Sequence, residues 1–408
     1  MHQMRRNVIR LSAGALVVGL VLTAAACGRQ ARQATGSPVT TAPRPSRTVS
    51  PAPTTPTPII PTQTVGTWQL LPAAPIPAPY IRTSVWTGTE MLVFGRLMVT
   101  DAGSTGDVDV AAAYNPATNT WRRLSAGHNR VGGYEGSNRA VWAGSEMLVW
   151  GITDKAFDPA TGLWRLLPEA PLSWGGPAVA VWTGRQMIGW GGGCCGDSVA
   201  AGLAYTPATD SWDTLPPSPL VGRQVATGAW TGRELVIAGG NNADGKLFGD
   251  AAAYNPSTRS WRRLPPMPEP RTDATAVWDG SEVLVVGGGD QQRLYAEGVA
   301  YNPSTNTWRR LSGMEYPRAG HVALWTGSRL LVWGGATRRG SLATRPPHGE
   351  TYDPVTNRWS PLPKSPLRGR AGATAVWTGS AMIVWGGSPV DDDGGWFADG
   401  ARYTPGTR

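Results

Sequence analysis

Along residues 274–311 short apolar runs alternate with clusters of turn residues. Ala274-Thr275-Ala276-Val277-Trp278 is β-branched and aromatic in character and predicts a strand. Asp279-Gly280-Ser281-Glu282 then carries turn chemistry. Val283-Leu284-Val285-Val286 is apolar without interruption, which predicts a strand buried on both faces. Gly287, Gly288 and Gly289 end it, where the backbone must bend or approach a neighbour closely. Val299-Ala300-Tyr301 predicts a third strand and Asn302-Pro303-Ser304-Thr305-Asn306 a turn, with Pro preset for its φ. Trp308-Arg309-Arg310-Leu311 predicts a fourth. The four strands are labelled a to d.

The same pattern recurs along residues 67–408. The strand-a tryptophan returns at Trp86, Trp142, Trp182, Trp230, Trp278, Trp325 and Trp377. The strand-d tryptophan returns at Trp121, Trp164, Trp212, Trp261, Trp308 and Trp359, with one more copy alone at Trp68. A period of roughly 48 residues, rich in strand signals, predicts an all-β, seven-bladed β-propeller of four-stranded antiparallel blades. The last unit supplies strands a, b and c, ending at Tyr403-Thr404-Pro405, and Trp68-Gln69-Leu70-Leu71 supplies the missing strand d. One blade is therefore expected to form from both ends of this stretch, which also pairs edges left open otherwise. The patterned tryptophans, two per blade, are expected in the core.

The paired glycines after strand b, the tyrosine in strand c and the tryptophan seven residues later resemble the kelch repeat family, whose propellers include the central domain of galactose oxidase. Phe157 replaces the tyrosine in the second unit, and Gly95-Arg96 and Gly151-Ile152 lack the second glycine.

Comparing the units with one another places the variable surface. The a–b and c–d turns are short and uniform, whereas the b–c stretches differ, from residues 151–157 to residues 95–114. Binding residues concentrate on variable loops carried by a rigid scaffold, so the b–c and d–a face is expected to bind. Arg223, Arg271, Arg318 and Arg370 share one offset, seven residues before the strand-a tryptophan, with Arg82 and Arg139 nearby in other units. They are candidates for a basic ring that takes a carboxylate, sulfate or phosphate. The competing structural reading pairs them with acids near the start of strand c: Asp109, Asp250, Glu297 and Asp399. Aromatic residues outside the blade pattern lie on the same loops. Tyr80, Tyr134, Trp174 and Tyr316 are on d–a connections, and Phe248, Tyr295 and Trp396 are on b–c loops. They suit stacking on sugars or capture of peptide side chains; the bland alternative has them plugging the channel or stapling loops.

The front of the chain changes the meaning of the charge. Residues 1–26 read as a signal peptide: a basic start with Arg5, Arg6 and Arg10, then an apolar run too short to span a bilayer comfortably. Thr23-Ala24-Ala25-Ala26-Cys27-Gly28 resembles a bacterial lipobox, which implies an acylated Cys27; an ordinary cleavage nearby is the alternative. Twin-arginine and Sec export both remain open. Residues 27–66 are rich in Pro and Thr with no acidic residue, and read as a disordered tether. The net charge of +9 falls once the seven arginines of residues 1–66 are set aside, leaving thirty basic residues against 28 acidic. A propeller near neutrality is not the footprint of a nucleic-acid binder.

Cys194 and Cys195 are adjacent, and an oxidising compartment favours a strained vicinal disulfide over two free thiols. The kelch resemblance also raises enzymes. Copper radical oxidases need a Cys–Tyr crosslink and histidine ligands, and this stretch has His128, His321 and His348 with only that adjacent cysteine pair. No metal or other cofactor is expected. Sialic-acid mutarotases work with charged residues instead. Asp391-Asp392-Asp393-Gly394 lacks the spaced carboxylates of a calcium loop. The resulting expectation is a monomeric lipoprotein outside the cytoplasmic membrane that binds a glycan, wall polymer or protein. A mutarotase- or oxidase-type enzyme and a structural envelope protein are the alternatives.

Overall fold

The computed structural model describes residues 65–101, 104–126, 138–151, 154–172, 176–193, 196–337, 348–389 and 395–406. The expectations for the leader, Cys27 and the linker up to residue 64, and for His128, Tyr134, Trp174, Cys194, Cys195 and the Asp391 loop, lie outside the described residues.

Among the described residues there are 28 strands and no helix, in seven four-stranded antiparallel sheets. Strand β1 (Thr67–Leu70) joins β26 (Thr374–Trp377), β27 (Met382–Trp385) and β28 (Gly400–Thr404) in one sheet, pairing Trp68 with Tyr403. The closure therefore runs as the sequence predicts. The first strand of each sheet contacts that of the next, and β26 contacts β2 (Ile81–Trp86), so the blades form a closed ring. We number the blades from the one that β2 opens; the sheet of β1 and β26–β28 is blade 7.

Each core cluster lies between two consecutive blades. Blades 3 and 4 share Ile188, Trp190, Leu235 and Ile237; blades 7 and 1 share Ile383, Trp385, Met91 and Val93. Strand b is buried on both faces because each blade packs against two neighbours, which is what its unbroken apolar run requires. The patterned tryptophans are not the deepest residues, which corrects the expectation that they fill the core. Both sets are only partly buried and pack against its edge, as Trp230 and Trp261 do. The fully buried indoles are Trp190, Trp333 and Trp385, at the ends of strand b.

The strand-d tryptophan holds blade to blade instead. Trp121, Trp212, Trp261, Trp308 and Trp68 donate their indole N–H to the carbonyls of Pro72, Pro168, Pro216, Pro265 and Pro363 in the preceding blade. Trp164 and Trp359 use Ser125 and Ser312. Each also packs on the aromatic ring of its own strand c, as in Trp308 on Tyr301 at 5.2 Å. A half-buried indole with one polar tip suits this position, since it offers apolar area and one donor.

Candidate functional site

The b–c and d–a face is built around the four arginines. All four are fully buried. Arg223 donates to the Gly239 carbonyl at 3.0 Å and to both Asp250 oxygens at 2.8 and 3.2 Å. Arg370 donates to the Gly386 carbonyl at 3.1 Å and to Asp399 at 2.6 and 3.2 Å. Arg318 reaches the Gly334 carbonyl at 3.0 Å, the His348 carbonyl at 3.1 Å and Glu350 at 2.7 Å. Arg271 reaches the carbonyls of Gly287 and Glu297 at 3.2 and 3.0 Å, and Glu269 at 3.4 Å. Each guanidinium thus ties the first glycine after strand b to the loop that enters strand c.

The arginine backbone works in the other direction. The amides of Gly192, Gly240, Gly288 and Gly335 donate to the carbonyls of Arg223, Arg271, Arg318 and Arg370. Each amide belongs to the blade before its arginine. Those glycines have φ between 70° and 98°, and at Gly240 a Cβ would meet the Val225 carbonyl oxygen at 2.8 Å, so glycine is required there. In blades 4 to 7 one arginine therefore staples its own loop through the side chain and the preceding blade through the main chain. Burial pushes the Arg271 and Arg318 guanidiniums below their ordinary value, with Glu269 and Glu350 opposing that shift. Most donors of the four guanidiniums go to protein groups, while the buried Arg271 Nε has no partner among the described residues.

Aromatic rings complete the staple. Phe248 lies 4.4 Å from the Arg223 guanidinium, Tyr295 4.8 Å from Arg271 and Phe397 4.0 Å from Arg370. Each stands two residues before the acid or carbonyl that its arginine binds. That spacing is the signal by which Phe397, which the loop survey passes over, is legible. Tyr295 is buried and donates to Asp290 at 2.7 Å, so it belongs to the staple and not to an open rim. Glu350 and Glu269, also passed over, are acids outside the common offset.

Two of the expected rim aromatics do face solvent. Trp396 is 42% exposed and lies 6.5 Å from Tyr80, across the junction of blades 7 and 1. Tyr316 is 38% exposed and lies 6.4 Å from the His348 ring. Between blades 4 and 5 the same face opens into a cavity of about 320 Å³ lined by Val225, Asn241, Leu247, Asp273 and Asp290. Asp273 has a φ of 58°, where Gly320 and Gly372 hold the matching places at 64° and 62°. A larger cleft of about 570 Å³ lies on the opposite face, between blades 6 and 7, around Thr326, Trp377 and Pro405. Among the described residues no three His, Cys, Asp or Glu side chains come together as metal ligands.

A family model described as the KLHDC2/KLHL20/DRC7 Kelch-repeats domain matches residues 176–387, just over half of the chain. The chain belongs to the Kelch-repeat family. That match spans the Kelch units whose staples are most regular. No curated protein matches the chain. Among solved structures, the chain is similar to a fungal alcohol oxidase of the AA5 family in complex with copper. The two are 16% identical with a TM-score of 0.66, over 84% of this chain and 77% of that one. At that identity the likeness is one of fold.

Proposed function

We propose that this Kelch propeller is a binding module, carried outside the cytoplasmic membrane by a lipid on Cys27 and a Pro/Thr tether. It recognises a glycan, wall polymer or protein through the b–c and d–a face. The observation that carries this reading is two exposed aromatic rings on that face, Trp396 beside the partly buried Tyr80 and Tyr316 beside the partly buried His348. Large amphipathic rings anchor interfaces because they bury much area at little entropic cost. Kelch propellers generally serve as protein-binding modules, which supports the same reading. The leader composition and the lipobox-like run at Cys27 support the location.

The test is binding of the intact protein to isolated wall polymers, a glycan array and candidate envelope proteins, with Trp396→Ala and Tyr316→Ala combined. Saturable binding that weakens at least tenfold in the double variant, at unchanged melting temperature, is the expected result. Binding that ignores both substitutions removes the rim from the site. Absence of binding to any polymer ends the glycan version.

A further inference from the structure

One cation on the innermost strands has no place in the staple pattern. Three residues before the strand-a tryptophan, six blades carry Thr or Val, as in Thr83 and Val179 on either side of blade 2. Blade 2 carries Arg139, at the first position of its strand a (Arg139–Trp142). Strand a is the edge of each blade nearest the ring axis, and that of blade 2 contacts the equivalent strands of blades 1 and 3. Val141, two residues on along the same face, is buried against blade 3. A β-branched stub fits such a position, whereas an arginine must extend beyond it.

The environment of Arg139 is unusual in two respects. The residue is exposed to solvent, yet the protein around it lowers the guanidinium pKa, with burial as the one cause. Strand a is the innermost strand, so a solvent-exposed side chain there opens towards the ring axis. Its Nε and Nη2 both donate to the Ala178 carbonyl of blade 3, at 3.2 and 3.0 Å. Among the described residues it makes no other hydrogen bond and no ion pair. The contrast with the staple arginines is direct, because each of those has a carboxylate within reach: Asp250, Glu269, Glu350 or Asp399.

We propose that Arg139 is the anchor of an anion site in the central channel, taking one oxyanion group: a carboxylate, sulfate or phosphate. The Nε side of the guanidinium is occupied by Ala178, and the Nη1–Nη2 edge remains as a two-donor fork. Such a fork matches two oxygens of a carboxylate or a tetrahedral oxyanion. A charge partly removed from water, with no carboxylate paired to it among the described residues, gains from any anion that reaches it. This site is separate from the aromatic rim, and either can fail alone.

The test uses the full chain at constant ionic strength, titrated calorimetrically with sodium sulfate, sodium phosphate and sodium acetate. Saturable millimolar binding is expected, with at least a tenfold loss in Arg139→Gln and a partial loss in Arg139→Lys, which keeps the charge but not the fork. Arg310→Gln, at an exposed arginine on the outer strand of blade 5, leaves binding unchanged. Preference between sulfate or phosphate and acetate distinguishes an inorganic ion from a carboxylate-bearing ligand. Binding in the wild type that survives Arg139→Gln, or no binding of any anion, overturns the proposal. Should Arg139→Gln fail to fold, a bromide-soaked wild-type crystal decides: an anomalous peak against the Arg139 guanidinium supports the site and its absence removes it.

Discussion

Blades 4 to 7 and blades 1 to 3 meet the same electrostatic demand in different ways. In the first group an arginine seven residues before the strand-a tryptophan crosses to the glycine bend and to the entrance of strand c. In the second group that offset holds Pro79, Glu135 and Gly175. Blade 1 keeps the acid, Asp109, and draws its cations from elsewhere. Arg96 reaches it from strand b of the same blade at 3.5 Å, and Lys155 from strand c of blade 2 at 2.6 Å. The Lys155 ammonium also lies 4.5 Å from both the Phe94 and Trp164 rings. Blade 1 thus keeps the acid and replaces the cation, whereas blades 4 to 7 keep the arginine offset and vary the acid. Where the repeat relaxes, as in blade 2, Arg139 has no ion pair among the described residues.

The comparison is tested most severely at the two acids. Asp109 faces two cations, and all three groups are buried. Asp109→Asn removes the carboxylate that pairs with both cations and is expected to cost about 3–5 kcal/mol, the usual penalty for breaking a buried pair. Asp399 pairs with Arg370 but is 53% exposed, so water takes over much of its role. Asp399→Asn is expected to cost about 1 kcal/mol or less. Guanidinium chloride unfolding of both variants measures the gap, and equal costs would erase the distinction between the two groups of blades.

Titration offers the next effect in size. His321 stands in blade 6 where other blades carry Ala226, Ala274 and Ala373, and its ring rests on Gly287. Burial first, and the nearby Arg318 charge second, lower its pKa to about 3. The unfolded chain takes a proton near pH 6.5 and the folded one does not, so its contribution is complete above that value and is lost as pH falls towards 3. Between pH 7 and pH 5 this amounts to about 2 kcal/mol. His321→Ala is expected to remove that loss. Asp154 in blade 2 has the opposite sign: burial raises its carboxyl to about 6, so its contribution improves as pH falls from 6 towards 4. Melting curves at pH 5 and 7 should therefore reverse order in His321→Ala, with the acid side becoming the more stable. A variant that keeps the wild-type slope would show that another group governs it.

The fold was legible because the repeat states its own geometry many times. Seven copies of one tryptophan and six of one tyrosine, in register, leave no freedom over strand order, and Trp68 standing alone gives the closure. The staple was only half legible. The shared arginine offset was visible, but whether a guanidinium points to ligand or to protein depends on the acid across the blade, and Glu350 and Glu269 sit at no common spacing. The depth of the tryptophans was misjudged for a related reason. A repeated Trp signals a repeated contact, and the contact is an indole N–H to a neighbour's carbonyl at the rim of the core, not its centre. Arg139 was visible only as a neighbour of the ring, since its meaning rests on its having no carboxylate partner among the described residues.

The smallest effect concerns a single turn position that separates blade 4 from the rest. Two residues before the strand-d tryptophan the backbone is left-handed: φ is 55° at Asn119, 47° at Asp210, 55° at Asn306 and 51° at Asn357. In those blades the side-chain oxygen accepts the strand-c tyrosine hydroxyl, as Asn306 does from Tyr301 at 2.8 Å. Blade 2 lacks both halves of this pair, with Phe157 for the tyrosine and Gly162 at the turn. Blade 7 keeps Tyr403 with Gly66 at the matching place, and blade 4 keeps Tyr254 but places Arg259 there at a φ of 51°. That arginine instead donates to the Thr214 carbonyl of blade 3 at 3.0 Å, an exposed bond of small worth. A long side chain is strained in this backbone region and asparagine is tolerated there. Arg259→Asn is expected to raise stability by about 1 kcal/mol, or the melting temperature by about 2 °C. Tyr254→Phe sharpens the test: it should cost almost nothing in the wild type and about 1 kcal/mol in the Arg259→Asn background, because only there does the hydroxyl have its acceptor.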